Sequence, residues 1–223
     1  MAPPTLVIGN KNYSSWSLRP WLFMKKSGVP FEEIRIPLYQ PGSSEKLREY
    51  SPSGLVPLLL DGDLRVWDSL AICEYVSEKF LDGKGWPADR RVRAVARSVS
   101  AEMHAGFLAV RANLPMNLRA KFAWKSVNDE VDAGIRRIIE IWTRCREQHG
   151  GAGPWLFGEF TIADAMYAPV AWRFNSYGVP LEGEAARYLH TLLEMDEMRA
   201  WHAGALGETE VLPQCEARDI WPQ

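Results

Sequence analysis

Cysteine is scarce. The 223 residues hold three, Cys73, Cys145 and Cys215, odd in number and far apart, which excludes a disulfide framework. No two of them stand at metal-ligand spacing, and the four histidines, His104, His149, His190 and His202, are scattered singly. No metal is therefore expected. Neither sign of charge dominates either. Lys plus Arg number 26 against 28 Asp plus Glu, a net charge of −2, so the composition offers no polyanion-binding surface and no nucleic-acid partner is expected. No apolar run approaches the roughly 20 residues that cross a bilayer. The opening MAPPTLVIGN lacks a basic segment followed by an apolar one, so it does not read as a secretory signal. A cytoplasmic protein with no membrane partner is the expectation.

What is present is an ordinary globular composition, 47% hydrophobic and 24% charged, long enough for a substantial core. The two parts of the chain differ. In the first, Thr5–Ile8 is a short β-rich run, and Ser17–Lys26 follows as an apolar helical pattern that Gly28-Val29-Pro30 ends. Phe31–Leu38 alternates as a strand does, and Gln40–Ser53 reads as a polar connection. Leu55–Leu60 and Leu64–Trp67 flank a hairpin signal at Asp61-Gly62-Asp63, and Leu70–Phe80 is helical. The order β-α-β-loop-β-β-α predicts a small mixed sheet with helices packed on it.

Residues 81–87, LDGKGWP, read as a linker, and beyond them strand signals almost vanish. Ala88–Asn113 and Val127–His149 are amphipathic helical patterns, the first broken by Pro115. Thr161–Phe174 and Glu184–Ala203 are helical again, and the tail after Leu206 is irregular. The fold class expected is an α/β domain over residues 1–80 and an all-α domain over 88–223.

Three local features carry chemistry. Val56-Pro57 opens a strand-like run, and proline cannot donate to a central ladder. It either starts a strand in the trans form or, in the cis form, turns the Val56 amide and carbonyl toward an extended peptide. Asp68-Ser69 precedes Leu70-Ala71-Ile72. These residue types cap helices, and a helix start also receives a carboxylate, with Asp68 available for an ammonium. Asn12-Tyr13-Ser14-Ser15-Trp16-Ser17 lies between the first strand and the first helix, where hydroxyls either cap or hold an anion such as a thiolate. No histidine and acid stand near them in sequence, so a serine hydrolase gains little support.

Taken together, S-P-S-G-L-V-P-L-L at 51–59 and D-S-L-A-I at 68–72 resemble the glutathione-binding half of cytosolic glutathione transferases. S-S-W-S-L-R at 14–19 is similar to the S-S-C-S-W-R string of the zeta class, departing at Trp16 and Leu18. Phe160–Asp164 is similar to the family's buried capping box. The resemblance implies a thioredoxin-like N-terminal domain, an all-α C-terminal domain, and a homodimer. It implies glutathione as co-substrate, its cysteinyl unit paired with Val56 between Leu55 and Pro57 and its γ-glutamyl end on Asp68 and Ser69. Ser14 would donate to the sulfur, with Ser15, Tyr13 and Asn12 as alternatives. The small electrophile would lie beside Met103, His104, Phe107 and Arg111, residues that equally fit the apolar stripe of an amphipathic helix with a solvated arginine. The implied reaction is thiolate addition to that electrophile. A zeta-like cis–trans isomerase and a silent glutathione-binding regulator are the alternatives.

Overall fold

In the computed structural model, residues 2–217 and 220–221 are described. The first part of the chain runs β1 (Thr5–Ile8), α1 (Ser15–Lys26), β2 (Glu32–Arg35), α2 (Ser43–Tyr50), β3 (Leu58–Asp61), β4 (Leu64–Trp67) and α3 (Ser69–Phe80). Its four-stranded sheet has the order β2-β1-β3-β4. β1 pairs with β2 in parallel and with β3 antiparallel, and β3 turns back on β4. The hairpin turn needs a left-handed residue, and Gly62 supplies it at φ 63°.

β1 is apolar on both sides because both of its faces are covered. Leu6 and Ile8 join Leu59 in the main core with α1 and α3. Val7 and Leu58 point the other way, into a second cluster with Ile36 and Leu47. Strand side chains alternate between faces, so a helix had to exist on that second side. It is α2, where the sequence predicts a polar connection. Of its eight residues only Leu47 is a buried apolar one, too little for a visible helical period.

The remaining helices are α4 (Arg90–Ala105), α5 (Leu108–Asn113), α6 (Asp129–His149), α7 (Ile162–Ser176), α8 (Gly183–Leu193), α9 (Asp196–Leu206) and α10 (Pro213–Glu216). Two expectations change here. The first long helix breaks before Pro115, at Gly106-Phe107, with Phe107 left-handed at φ 57°. A Cβ on Gly106 would fall 2.7 Å from the Glu102 carbonyl oxygen, so only glycine fits that exit. The single helix expected over 184–203 is two, α8 and α9, hinged at Glu194-Met195.

α7 is buried on nearly every side and packs against both α1 and α4, so it joins the two halves of the chain. The tail beyond α9 does not trail away. It returns to the segment between β1 and α1, and Trp221 is buried against Phe122, Trp124 and Tyr177. Among the described residues, no helix is long and apolar enough to cross a membrane.

Candidate functional site

A cavity of about 290 Å³ opens where the start of α1, the entry to β3 and the start of α3 meet. Its walls are Trp16, Ser53, Leu55, Val56, Pro57, Trp67, Asp68 and Ser69. The Val56–Pro57 bond is cis, so of the two forms the sequence allows, the turn is the one present. Leu55 is largely exposed, while Pro57 is buried under the sheet end.

Asp68 caps α3 from a left-handed conformation, φ 74°. Its Oδ1 accepts from the amides of Leu70 and Ala71 at 2.9 and 3.2 Å. Its Oδ2 lies 3.1 Å from His104 Nε2, a contact that reaches from the sheet domain to α4. Ser69 is 1% exposed, and its hydroxyl accepts from Arg19 Nη1 at 3.4 Å. The capping and ligand-holding readings of the pair are therefore compatible, since Asp68 caps with Oδ1 while its Oδ2, in contact with His104, belongs to the groove wall.

The four candidates before α1 separate by their partners. Asn12 is spent on the C-terminal domain, its Nδ2 donating to Asn117 Oδ1 and its Oδ1 accepting from Arg119 N, both at 3.0 Å. The Tyr13 hydroxyl donates to Glu216 and accepts from Arg119 Nη2 at 2.8 Å. Burial, then the Glu216 carboxylate, push that phenol up. Ser14, 6% exposed, is the α1 N-cap. Its hydroxyl donates to Ser17 Oγ at 2.7 Å, and Ser17 Oγ accepts from Gly9 N at 3.1 Å. Ser15 is more exposed, and its Oγ accepts from Arg173 Nη2 at 3.1 Å.

Three guanidiniums crowd this corner. Trp16 is sandwiched between Arg19 and Arg111, with their Cζ atoms 4.3 and 4.2 Å from the indole centre, and the His104 ring stands edge-on to it at 5.3 Å. Arg19 is 3% exposed and Arg173 is 5% exposed. Among the described residues, neither they nor Arg111 form an ion pair with a carboxylate. Arg19 donates to the Met166 carbonyl, Arg111 to that of His104, and Arg173 to that of Leu114. Burial, then repulsion from Arg111 and Arg173, push Arg19 down to about 9. Burial and the Arg111 charge push Arg173 down to about 10. The result is a positive, partly desolvated corner beside two serine hydroxyls, a setting that favours a bound anion.

Residues 13–79 match the glutathione S-transferase N-terminal domain family, and residues 125–204 match its C-terminal domain family. The chain belongs to the cytosolic glutathione transferase superfamily. Glutathione S-transferase Z1 of Arabidopsis thaliana is 28% identical over 185 residues, covering 77% of this chain and 80% of that protein. A stringent starvation protein A homologue of Pasteurella multocida is 26% identical over 194 residues, covering 78% of this chain and 86% of that protein. A Burkholderia glutathione transferase homologue, solved with bound glutathione, shares the fold at a TM-score of 0.70 and 21% identity, covering 93% of this chain and all of that one.

Within this transferase fold, the helix-borne candidates divide. His104 and Arg111 reach the groove's edge through Trp16 and Asp68, whereas Met103 is buried in the core and Phe107 packs against it. A larger hollow of about 450 Å³ lies between α5 and the tail and includes none of the residues around Pro57. Cys73, on α3, is fully enclosed and burial drives its thiol well up; burial likewise pushes Cys145 up to about 11. Neither is set up as a thiolate. Among the described residues no group of three metal-ligating side chains converges.

Sequence reasoning missed Trp16, Arg19 and Arg173 as members of this site. A signal for the two arginines did exist, because each stands inside an apolar helical run, S-L-R-P-W and A-W-R-F. A charge in such a run is seldom buried without a function or a partner.

Proposed function

We propose that the groove around cis-Pro57 binds glutathione and that a hydroxyl at the start of α1 holds its sulfur as thiolate for addition to a small electrophile. The observation that carries this reading is the convergence of Val56-Pro57, Asp68-Ser69 and Trp16 on one cavity, with Ser14 and Ser15 directly before Trp16 at the start of α1. An extended cysteinyl unit would pair with the Val56 backbone as an added strand does. The γ-glutamyl carboxylate would meet the α3 N-terminus and the Ser69 hydroxyl, and its ammonium would meet Asp68 Oδ2. A free thiol titrates near about 8.5, and one hydrogen bond to a charged acceptor is worth roughly 1.5–3 kcal/mol, enough for one to two pKa units. His104 and Arg111, in contact with Asp68 and Trp16, would border the electrophile.

A glutathione-dependent cis–trans isomerase of zeta type is the second reading, supported by the Arabidopsis Z1 relative and the S-S-x-S-x-R string. In both readings the same thiolate attacks.

Calorimetric titration of the purified chain with glutathione tests the shared step. Saturable binding is expected, and no heat of binding at millimolar glutathione overturns it. Asp68→Asn keeps a capping oxygen and removes the charge, so it should weaken binding by roughly 1–3 kcal/mol, about 5- to 150-fold, with little change in stability. Binding without turnover against any electrophile would identify a silent glutathione-binding protein instead.

A further inference from the structure

We propose that His104 of α4 is the positioning residue for the Asp68 carboxylate, and that adding a proton to its ring weakens the groove's hold on a ligand's ammonium group. The inference rests on the glutathione reading above and adds to it a residue from the helical domain and a pH dependence.

Among the described residues that line the groove, Asp68 alone carries a charge, so a ligand cation has one carboxylate to meet there. Its Oδ1 is taken up by the Leu70 and Ala71 amides, and its Oδ2 lies 3.1 Å from His104 Nε2. A carboxylate only accepts, so Nε2 carries a proton and donates it. The neutral ring then keeps its lone pair at Nδ1, which is buried and has no hydrogen-bond partner among the described residues. A carboxylate oxygen has two lone pairs, so Oδ2 can hold the imidazole N–H and an ammonium together. The Asp68 side chain is 43% exposed, and the bond from His104 is what fixes its outer oxygen.

A second proton on the ring, at Nδ1, reverses the effect. The imidazolium then pairs with Asp68 beside the ammonium that shares the same oxygen, and the two cations repel. The charged groups around the ring come from three elements: Asp68 at the start of α3, Arg19 on α1 and Arg111 on α5, the two guanidiniums flanking Trp16 against the His104 ring. Behind them, Arg173 of α7 repels both arginines. Asp68 favours the second proton and the arginines oppose it, so an ammonium on Oδ2 tips the ring toward its neutral form. Histidine is the side chain whose ordinary charge change falls between pH 5 and 8. Ammonium binding and release of the ring proton are therefore coupled in that range, each weakening the other's opposite.

The test is calorimetric titration at pH 5.5 and pH 7.5 with glutathione and with its analogue lacking the γ-glutamyl amino group. The readout is the affinity ratio of the two ligands, in which groups that titrate elsewhere, the ligand thiol and Asp164 included, cancel. In the unaltered chain the ratio should fall about tenfold from pH 7.5 to pH 5.5. His104→Gln keeps an N–H donor for Oδ2 and cannot take the charge. Its ratio should stay within about twofold of the unaltered chain's at pH 7.5 and should not change with pH. His104→Ala should lower the ratio about fivefold at pH 7.5, whereas a merely structural loss would weaken both ligands alike. An unchanged ratio between the two pH values in the unaltered chain, which needs no variant to fold, overturns the proposal. A pH step of equal size in His104→Gln overturns the role of the added proton, and a ratio in His104→Ala equal to that of the unaltered chain at pH 7.5 overturns the positioning role. Absence of glutathione binding by the unaltered chain at either pH removes the reading on which the proposal rests.

Discussion

Asp164→Ala should cost about 3–5 kcal/mol of stability at pH 5, as removal of one member of a buried polar network does. Asp164 lies in the first turn of α7 with no exposed surface. Four donors converge on its carboxylate: the amides of Leu156 and Thr161, at 3.1 and 2.8 Å, and the hydroxyls of Thr161 and Tyr188, at 3.1 and 2.9 Å. Alanine leaves all four buried without an acceptor, and each costs roughly 1–3 kcal/mol when water cannot reach it. Burial pushes this carboxyl up to about 6 from its ordinary 3.8. A folded-state value above the unfolded one means that the group's stabilising contribution is complete below 3.8 and is lost as pH rises through about 6. The alanine variant's deficit should therefore shrink between pH 5 and pH 8. Chemical denaturation at both pH values measures it, and a deficit within about 0.5 kcal/mol, the level of neutral surface changes, would contradict the account.

Thr161 and Asp164 illustrate what a sequence makes legible. A capping box is local, three residues apart, and its residue types are read directly. The same holds for Asp68-Ser69, for the hairpin at Gly62 and for the strands, where period-two patterning and turn chemistry lie within a few positions. The start of α2 is equally local, but a single buried Leu47 gives no period to detect. The helix break at Phe107 was hidden for a different reason. Its apolar spacing continues that of α4, and only the backbone exit at Gly106 takes it off that helix.

The partners of the two buried arginines lie beyond this kind of reading. Arg19 meets the Met166 carbonyl 147 positions away, and Arg173 meets Ser15 158 positions away. In a periodicity argument each counts as a polar interruption on an apolar helix. Only the packing of α7 against α1 turns those interruptions into one charged corner beside the α1 serines. The groove was therefore readable from its sheet-domain half, and His104 and Arg111 from the helical half, while the contact of Arg173 with Ser15 was not.

Glu208→Ala should cost about 2–4 kcal/mol and loosen the segment that carries Ser14 and Ser15. Glu208 belongs to the tail beyond α9 and is buried. Its two carboxylate oxygens accept from the backbone amides of Lys11 at 2.6 Å and Asn12 at 3.0 Å, and Arg35 lies 3.4 Å from one of them. Arg119 clamps the same crossing by donating to the Glu208 and Glu210 carbonyls and to the Tyr13 hydroxyl. Without the carboxylate, two amides in the turn before α1 lose their acceptors, at roughly 1–3 kcal/mol each and less where water enters. Glu208→Gln keeps one acceptor oxygen and should recover about half of the loss. Because the amides of Lys11 and Asn12 would then open locally, their hydrogen exchange should accelerate more than that of the β1 amides. Glutathione affinity should change little, since Val56, Asp68 and Ser69 are untouched, whereas the bound thiol should lose part of its acidity as the serines lose their fixed positions. Unaltered exchange at Lys11 and Asn12 in the alanine variant would show that the Glu208 carboxylate does not hold this loop, and that the contacts of Asn12 and Tyr13 with Asn117, Arg119 and Glu216 suffice.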